Sequence, residues 1–306
     1  MKWARVCIRQ VWLLLAVWPL PALAQLFCVF DPMGTQGPVF AIARDYQFVT
    51  RTWGVELELK AYTDERVAAE DFKAGQCDGV AITGLRARQF NPFTGTIDAV
   101  GAIPDYTAMR KVVELLASPR LAPHMINGPY EVAGVVPLGA AYPFVNDRRI
   151  NTLAKATGKK IAVLDWDKSQ AMLVQQIGAQ PVASDITNFA GKFNNGQVDI
   201  IVAPIIVYQP FELYRGLGSK GGIARFPVVQ LTGQILIRHE KFPPGFGQRV
   251  RDYISTQVPR AFGMIRNEEK QVKPSFWMNI PLEDRNGYVL MMREARLMLA
   301  REGFYD

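Results

Sequence analysis

The chain has 306 residues, of which 49% are hydrophobic, 21% charged and 11% aromatic, with a formal net charge of +7. This composition is globular and supplies enough apolar material for a large core, which excludes a disordered protein and a small disulfide scaffold. Two histidines, and three cysteines without a Cys-x-x-Cys pair, argue against multi-histidine metal sites, zinc knuckles and thioredoxin-like redox motifs. Neither a metal nor a cofactor is expected.

The first 24 residues are typical of a cleaved secretory signal peptide. Three basic residues lie within the first nine positions, a short apolar run covers Val11–Val17, and Ala22 and Ala24 fit the cleavage positions. The alternative, a membrane anchor, requires ~20 apolar residues, and a lipoprotein would carry cysteine instead of Gln25. We therefore expect export to the periplasm.

The positive charge of the mature chain is modest. Removal of the three signal-peptide charges from +7 would leave +4. The densest basic groups, Arg86 with Arg88 and Arg148 with Arg149, are too short for a nucleic-acid footprint. No nucleic-acid partner is expected.

Short β-rich runs alternate with helical patterns in two parts of the chain, which predicts parallel sheets covered by helices. In the second of these parts, which covers Lys160–Ala203, Asp185 is expected to cap a helix. The first part has strands at Leu26–Asp31, Val55–Tyr62 and Gly79–Thr83, with helices over Gly37–Arg51 and from a cap at Thr63 or Asp64 to Lys73. The second has strands at Lys160–Asp165, through Val182 and at Ile200–Ala203, with a helix over Ser169–Ile177.

An internal match supports a duplicated lobe. Phe72-Lys-Ala-Gly-Gln-Cys-Asp78 and Phe193-Asn-Asn-Gly-Gln-Val-Asp199 share Phe, Gly, Gln and Asp in register. We predict a two-lobed α/β fold like that of periplasmic binding proteins, in which each lobe is a doubly wound, mainly parallel sheet. The β-rich runs Tyr130–Val145 and Val228–Arg238 are expected to join the lobes as a hinge. The expected division is residues 25–135 for lobe one, 136–230 for lobe two, and 231–306 for the return crossing and C-terminal helices.

Cys28 and Cys77 remain after signal cleavage, in an oxidising compartment. In a doubly wound sheet the first and third strands are neighbours, and both cysteines fall near the amino ends of those strands. A Cys28–Cys77 disulfide is predicted.

Several motifs together resemble the solute-binding proteins of tripartite ATP-independent periplasmic (TRAP) transporters. They are the signal peptide, the two Phe-x-x-Gly-Gln-x-Asp segments, Leu138–Phe144 (LGAAYPF), Thr157–Ile161 (TGKKI) and Arg238–Phe242 (RHEKF). The resemblance implies capture of a small organic acid between closing lobes and delivery to an inner-membrane permease. Family members usually carry an arginine where this chain has Ala162.

Ligands of parallel α/β sheets lie beyond the carboxyl ends of the strands, which selects the loops after each predicted strand. Arg86 and Arg88 are candidates to hold a carboxylate, unless Arg86 pairs with Asp64 or Glu65. Trp166 is placed either to stack on a solute or to pack beneath a helix. The remaining candidate ligand-binding residues are Asp31, Thr35, Tyr62, Thr83, Tyr142, Phe144, Asp165, Ser169 and Tyr208.

For Asp31 and Asp165 the competing interpretation is complementation of the positive end of the following helix. The expected function is capture of a small polar, anionic metabolite, and the protein is not expected to be an enzyme, because the sequence has no Gly-x-Ser-x-Gly, His-Glu-x-x-His or phosphate-binding glycine-rich motif. A sensor module and an exported enzyme using the same cleft are the alternatives.

Overall fold

The computed structural model describes residues 24–306, so the signal peptide predicted for residues 1–24 lies outside the described residues except for Ala24. In the described part, no helix is both long and apolar enough to cross a bilayer. The strands are β1 Gln25–Phe30, β2 Leu57–Tyr62, β3 Gly79–Thr83, β4 Ile126–Asn127, β5 Tyr130–Val145, β6 Lys160–Leu164, β7 Gln180–Ser184, β8 Ile200–Pro204, β9 Gly222–Ala224, β10 Val229–Arg238 and β11 Trp277–Met278. The α-helices are α1 Pro38–Arg51, α2 Glu65–Lys73, α3 Gly84–Ala87, α4 Pro92–Gly95, α5 Tyr106–Leu116, α6 Leu153–Ala156, α7 Lys168–Gln176, α8 Phe189–Asn194, α9 Tyr214–Leu217, α10 Phe246–Gln271 and α11 Leu282–Arg301.

The main sheet has the strand order β2-β1-β3-β10-β5-β8-β6-β7. At one end β1 pairs in parallel with β2 and β3, and at the other β6 pairs in parallel with β7 and β8. The antiparallel strands β5 and β10 lie between these two groups. The predicted two-lobed α/β fold with a β-rich hinge is confirmed, and the groups around β1–β3 and β6–β8 are called the first and second lobes below.

Strand β5 takes part in both lobes. Its residues from Tyr130 to Ala141 pair with β10, and those from Ala141 to Val145 pair with β8. Hydrogen bonds therefore run from β3 to β8 through β10 and β5 without a gap. The division at residues 135 and 230 stays a prediction.

The duplicated segments have equivalent structural roles. Phe72 and Phe193 are both fully buried in the cores of their lobes. Asp78 Oδ2 accepts a hydrogen bond from a main-chain N–H of β1 at 2.9 Å, and Asp199 Oδ2 accepts one from the first N–H of β6 at 2.9 Å. Each aspartate thus connects the turn after a helix to the first strand of its lobe through a side-chain hydrogen bond.

The two candidate helix caps differ. Asp64 caps α2 by accepting hydrogen bonds from Arg66 N and Val67 N. The prediction for Asp185 is wrong, because its carboxylate bonds the turn at residues 187 and 188, and α8 begins only at Phe189.

The predicted disulfide is confirmed. Cys28 and Cys77 are bonded with a Cα–Cα distance of 6.0 Å, and both are fully buried. Its geometric basis is the pairing of β1 with β3, which places the turn before β3 beside β1.

Helix α10 packs against β5 through an apolar face. Val250, Ile254 and Val258 on this face are buried. Gly247 permits the close approach, since a Cβ atom there would lie 1.9 Å from Glu131 Oε1 on β5.

Candidate ligand-binding cleft

The larger of two interlobe cavities has a volume of about 370 Å³. The carboxyl ends of β1 and β3 in the first lobe and of β6 and β8 in the second contribute to its wall, together with β5, β10, α1 and α10. This is the place where ligands bind in open α/β sheets. Among the predicted candidates, Thr83 lines this cavity.

A smaller cavity of about 210 Å³ adjoins the first and extends beneath α11. Arg88 and Ser169, two predicted candidates, line it. The Arg88 guanidinium lies 5.0 Å from the ring centroid of Tyr305, and its Nε donates a hydrogen bond to Gly95 O at 3.3 Å. The two cavities share Leu85, Ala162, Val163, Gln170, Val202 and Leu231.

Arg86 contacts Trp166 across the two lobes. The Arg86 Cζ atom lies 3.9 Å from the Trp166 ring centroid, and Arg86 Nε lies 3.6 Å from Glu65 Oε2. Glu65 is itself buried, which raises its pKa above the usual range, and its Oε1 accepts a hydrogen bond from Thr83 N. The expected Arg86–Glu65 pairing is present, together with a stacking contact that the sequence did not predict.

This contact leaves three buried polar atoms without hydrogen bonds within the described part of the chain. They are Arg86 Nε, Glu65 Oε2 and Trp166 Nε1. Buried donors without hydrogen bonds are costly. The Arg86 guanidinium already faces the Glu65 carboxylate, and its other N–H groups could bind a second carboxylate. The arrangement provides hydrogen-bond donors from both lobes.

Three loop candidates lie outside both cavities. The Asp31 carboxylate accepts hydrogen bonds from Met33 N, Val39 N and Phe40 N, at 2.9, 2.8 and 3.0 Å. It therefore complements the start of α1, the competing interpretation given above. Thr35 and Asp165 are exposed.

The four aromatic candidates also lie outside both cavities. Tyr62 donates a hydrogen bond to Asp71 at 2.5 Å, and Tyr142 donates one to Glu269 at 3.2 Å. Phe144 and Tyr208 are buried in the core of the second lobe. For these residues, as for the other candidates, contact with a solute stays a prediction.

The structure adds polar residues to the cleft that the sequence did not indicate. Asp98, Asp167 and Tyr305 line the smaller cavity. Asp167 directly precedes α7, which begins at Lys168, and caps it by accepting a hydrogen bond from Ser169 N. An aspartate just before a predicted helix could therefore have indicated this residue. Tyr305 reaches the cavity from the end of the chain, and no local pattern signals such a contact.

Asp98 is buried and its carboxylate accepts hydrogen bonds from Thr232 N at 3.1 Å and Thr232 Oγ1 at 2.8 Å. Gly84 allows this approach, because a Cβ atom there would lie 2.4 Å from Asp98 Oδ2. Burial raises the pKa of Asp98 from 3.8 to about 7.

This pKa shift predicts a pH dependence of stability. The unfolded carboxyl group loses its proton near pH 4, whereas the folded one retains it to about pH 7, so the unfolding free energy should fall as pH rises across this interval. In the Asp98→Asn variant, the part of this decrease in unfolding free energy that comes from Asp98 should disappear. Urea unfolding between pH 4.5 and 7.5 measures the slope, with the exposed Asp105→Asn as control; an unchanged slope in Asp98→Asn contradicts the prediction.

Comparison with known proteins identifies the chain as similar to a family of solute-binding proteins. The model of the family "Solute-binding protein AdeT 1/2" matches residues 47–306. AdeT1 of Acinetobacter baumannii, described as a probable solute-binding protein, is 51% identical over 278 residues, covering 91% of each chain.

Solved structures show the same fold. A TRAP periplasmic solute-binding protein from Desulfovibrio salexigens, with bound orotic acid, has a TM-score of 0.73 at 18% identity and covers 92% of this chain and 93% of its own. Another from Haemophilus influenzae, with bound L-gulonate, has a TM-score of 0.74 at 11% identity, with coverage of 91% and 94%. The family match, the relative and the two-lobed fold agree, and the chain belongs to the AdeT 1/2 family of solute-binding proteins.

Proposed function

We propose that this protein is a periplasmic solute-binding protein that captures a small anionic metabolite between its lobes and delivers it to an inner-membrane permease. Membership of a solute-binding family supports binding over catalysis. The observation that carries the proposal is the cavity of about 370 Å³ at the carboxyl ends of strands from both lobes.

The anionic character is supported by the contact between Arg86 and Trp166. Arg86 donates no side-chain hydrogen bond within the described residues, and its Nε is buried. Carboxylates form strong bidentate hydrogen bonds with guanidinium groups. The structural neighbours that hold orotic acid and L-gulonate bind solutes of this charge class.

Closure of the lobes completes the proposed mechanism. We assign residues 25–135 and 136–230 to the two lobes, with the tail from 231 packing across them. A solute shifts the equilibrium toward the closed form only if it binds that form more tightly. Arg86 and Trp166 come from different lobes, so they converge on a solute only when the cleft is closed.

Substitution of the two residues tests this proposal. Arg86→Ala should weaken solute binding by about 10- to 100-fold, the value of one charge-assisted hydrogen bond, and Trp166→Ala should also weaken it. The solute is first recovered from the native protein and identified by mass spectrometry. Calorimetry then gives the affinity, and small-angle scattering follows compaction.

The control is Arg66→Ala, which removes an arginine of the same lobe whose side chain is 67% exposed. It should bind like the native protein. Unchanged affinity in both test variants would remove Arg86 and Trp166 from the site, binding without compaction would refute closure, and conversion of the solute would identify an enzyme.

A further inference from the structure

The wall of the larger cavity is apolar over most of its area. All four strands that bring their carboxyl ends to it contribute aliphatic or aromatic side chains, including Val29, Ile82, Leu164 and Ile201. Ala162, a residue with no polar side-chain atom, lies where this cavity meets the smaller one.

Charge is nearly absent from this wall. Among the described residues that line the larger cavity, the charged ones are Asp45 and Arg260, and they pair with each other at 3.6 Å between Asp45 Oδ2 and Arg260 Nη2. Both side chains are about 60% exposed, so they lie at the rim. Among the described lining residues, a charged group of the solute would find no charged side chain that is free of an ion pair.

Three polar side chains of the wall bond the protein itself, whereas the buried Tyr46 hydroxyl has no hydrogen-bond partner within the described residues. Gln234 exchanges hydrogen bonds with Thr94, at 2.9 Å to its Oε1 and 3.2 Å from its Nε2. Gln170 accepts from Leu164 N and donates to Asp167, and the Thr83 hydroxyl accepts from Arg86 N. The hydroxyl groups of a sugar acid would lose their hydrogen bonds to water in this cavity and would find few protein groups to replace them. Burying these groups is therefore unfavourable.

The entrance is apolar as well. Val39, Ile42 and Met264 line the cavity and are 36%, 46% and 42% exposed. A continuous apolar surface therefore leads from solvent into the cavity.

From these observations we infer that the solute is an organic acid with an apolar body, an alkyl or aryl monocarboxylate, whose body fills the larger cavity. This inference rests on the proposed function and specifies its solute. The carboxylate lies outside the apolar wall, at Arg86, which itself lines neither cavity but follows Leu85, a residue of both.

The test uses the full mature chain and calorimetry with defined probes. Butanoate, hexanoate, octanoate and phenylacetate are compared with L-malate and D-gluconate. Affinity should rise about fourfold per added methylene from butanoate to octanoate, because each methylene is buried against apolar side chains. Octanoate and phenylacetate should bind more tightly than either polar acid.

A pair of variants locates the body of the solute. Ala162→Phe fills the shared wall and should abolish octanoate binding, whereas Ala183→Phe, on the neighbouring strand β7 with an exposed side chain, should not change it. The chain-length series in the native protein does not depend on the folding of either variant.

Tighter binding of L-malate or D-gluconate, or affinity independent of chain length, overturns the inference and leaves the proposed function intact. Failure of every alkyl and aryl acid to bind also overturns it. The proposed function fails separately, if no solute is recovered from the native protein or if the recovered solute is converted to another compound.

Discussion

Replacing Arg251 with methionine is expected to lower the free energy of unfolding by about 3–5 kcal/mol. Arg251 Nη1 on α10 lies 2.8 Å from Glu131 Oε1 on β5, and the two side chains are 5% and 11% exposed. The same Nη1 donates a hydrogen bond to Val132 O. Without the arginine, the buried Glu131 carboxylate has lost its partner charge, and this uncompensated charge is the source of the cost.

Two comparisons identify the cause. The double variant Glu131→Leu/Arg251→Met should regain most of the lost stability, because it buries no charge. Arg110→Met breaks an exposed pair with Glu114 and should cost at most about 0.5 kcal/mol. Urea unfolding followed by circular dichroism measures all three, and equal losses in the Arg251 and Arg110 variants would contradict the explanation.

Loss of the Cys28–Cys77 disulfide is expected to cost about 4 kcal/mol on the loop-entropy model, for a sequence separation of 49 residues. The bond limits the conformations of the unfolded chain between β1 and β3. The double variant Cys28→Ala/Cys77→Ala should unfold at a clearly lower urea concentration than the oxidised protein.

The matched control is the native sequence refolded under reducing conditions, which lacks the bond but keeps both sulfur atoms in the core. Its stability should approach that of the double variant. If oxidised and reduced protein unfold at the same urea concentration, the disulfide contributes nothing.

Local patterns predicted the parallel strands of both lobes and the helices α1, α2 and α7 to within a few residues, but not α5. The strand predicted at Gly79–Thr83 and the crossing at Tyr130–Val145 coincide with β3 and β5. The disulfide followed from strand order, because the doubly wound arrangement makes β1 and β3 neighbours. These features depend on side-chain periodicity and on general rules of chain connection.

The side-chain contacts in the cleft were harder to predict from the sequence, because they join residues that are far apart along the chain. Arg86 and Arg88 differ by two positions, yet one stacks on Trp166 and the other lines the smaller cavity beside Tyr305. Asp98 meets Thr232, 134 positions away. Asp31 was predicted as the last residue of a strand and lies one residue beyond β1. Whether its carboxylate bonds main-chain donors or a solute depends on the conformation of the following turn.

The long strand β5 also bears on the proposed closure of the two lobes. Opposite Gly139, which has a φ of +96°, the β5–β10 ladder shifts register between Leu231 and Thr232. A ladder is most easily twisted where its regular hydrogen bonds are interrupted. Under the proposed closure, the stiffness of opening and closing would be an elastic property of this two-stranded ribbon, and it could be tuned at Gly139, which lines neither cavity.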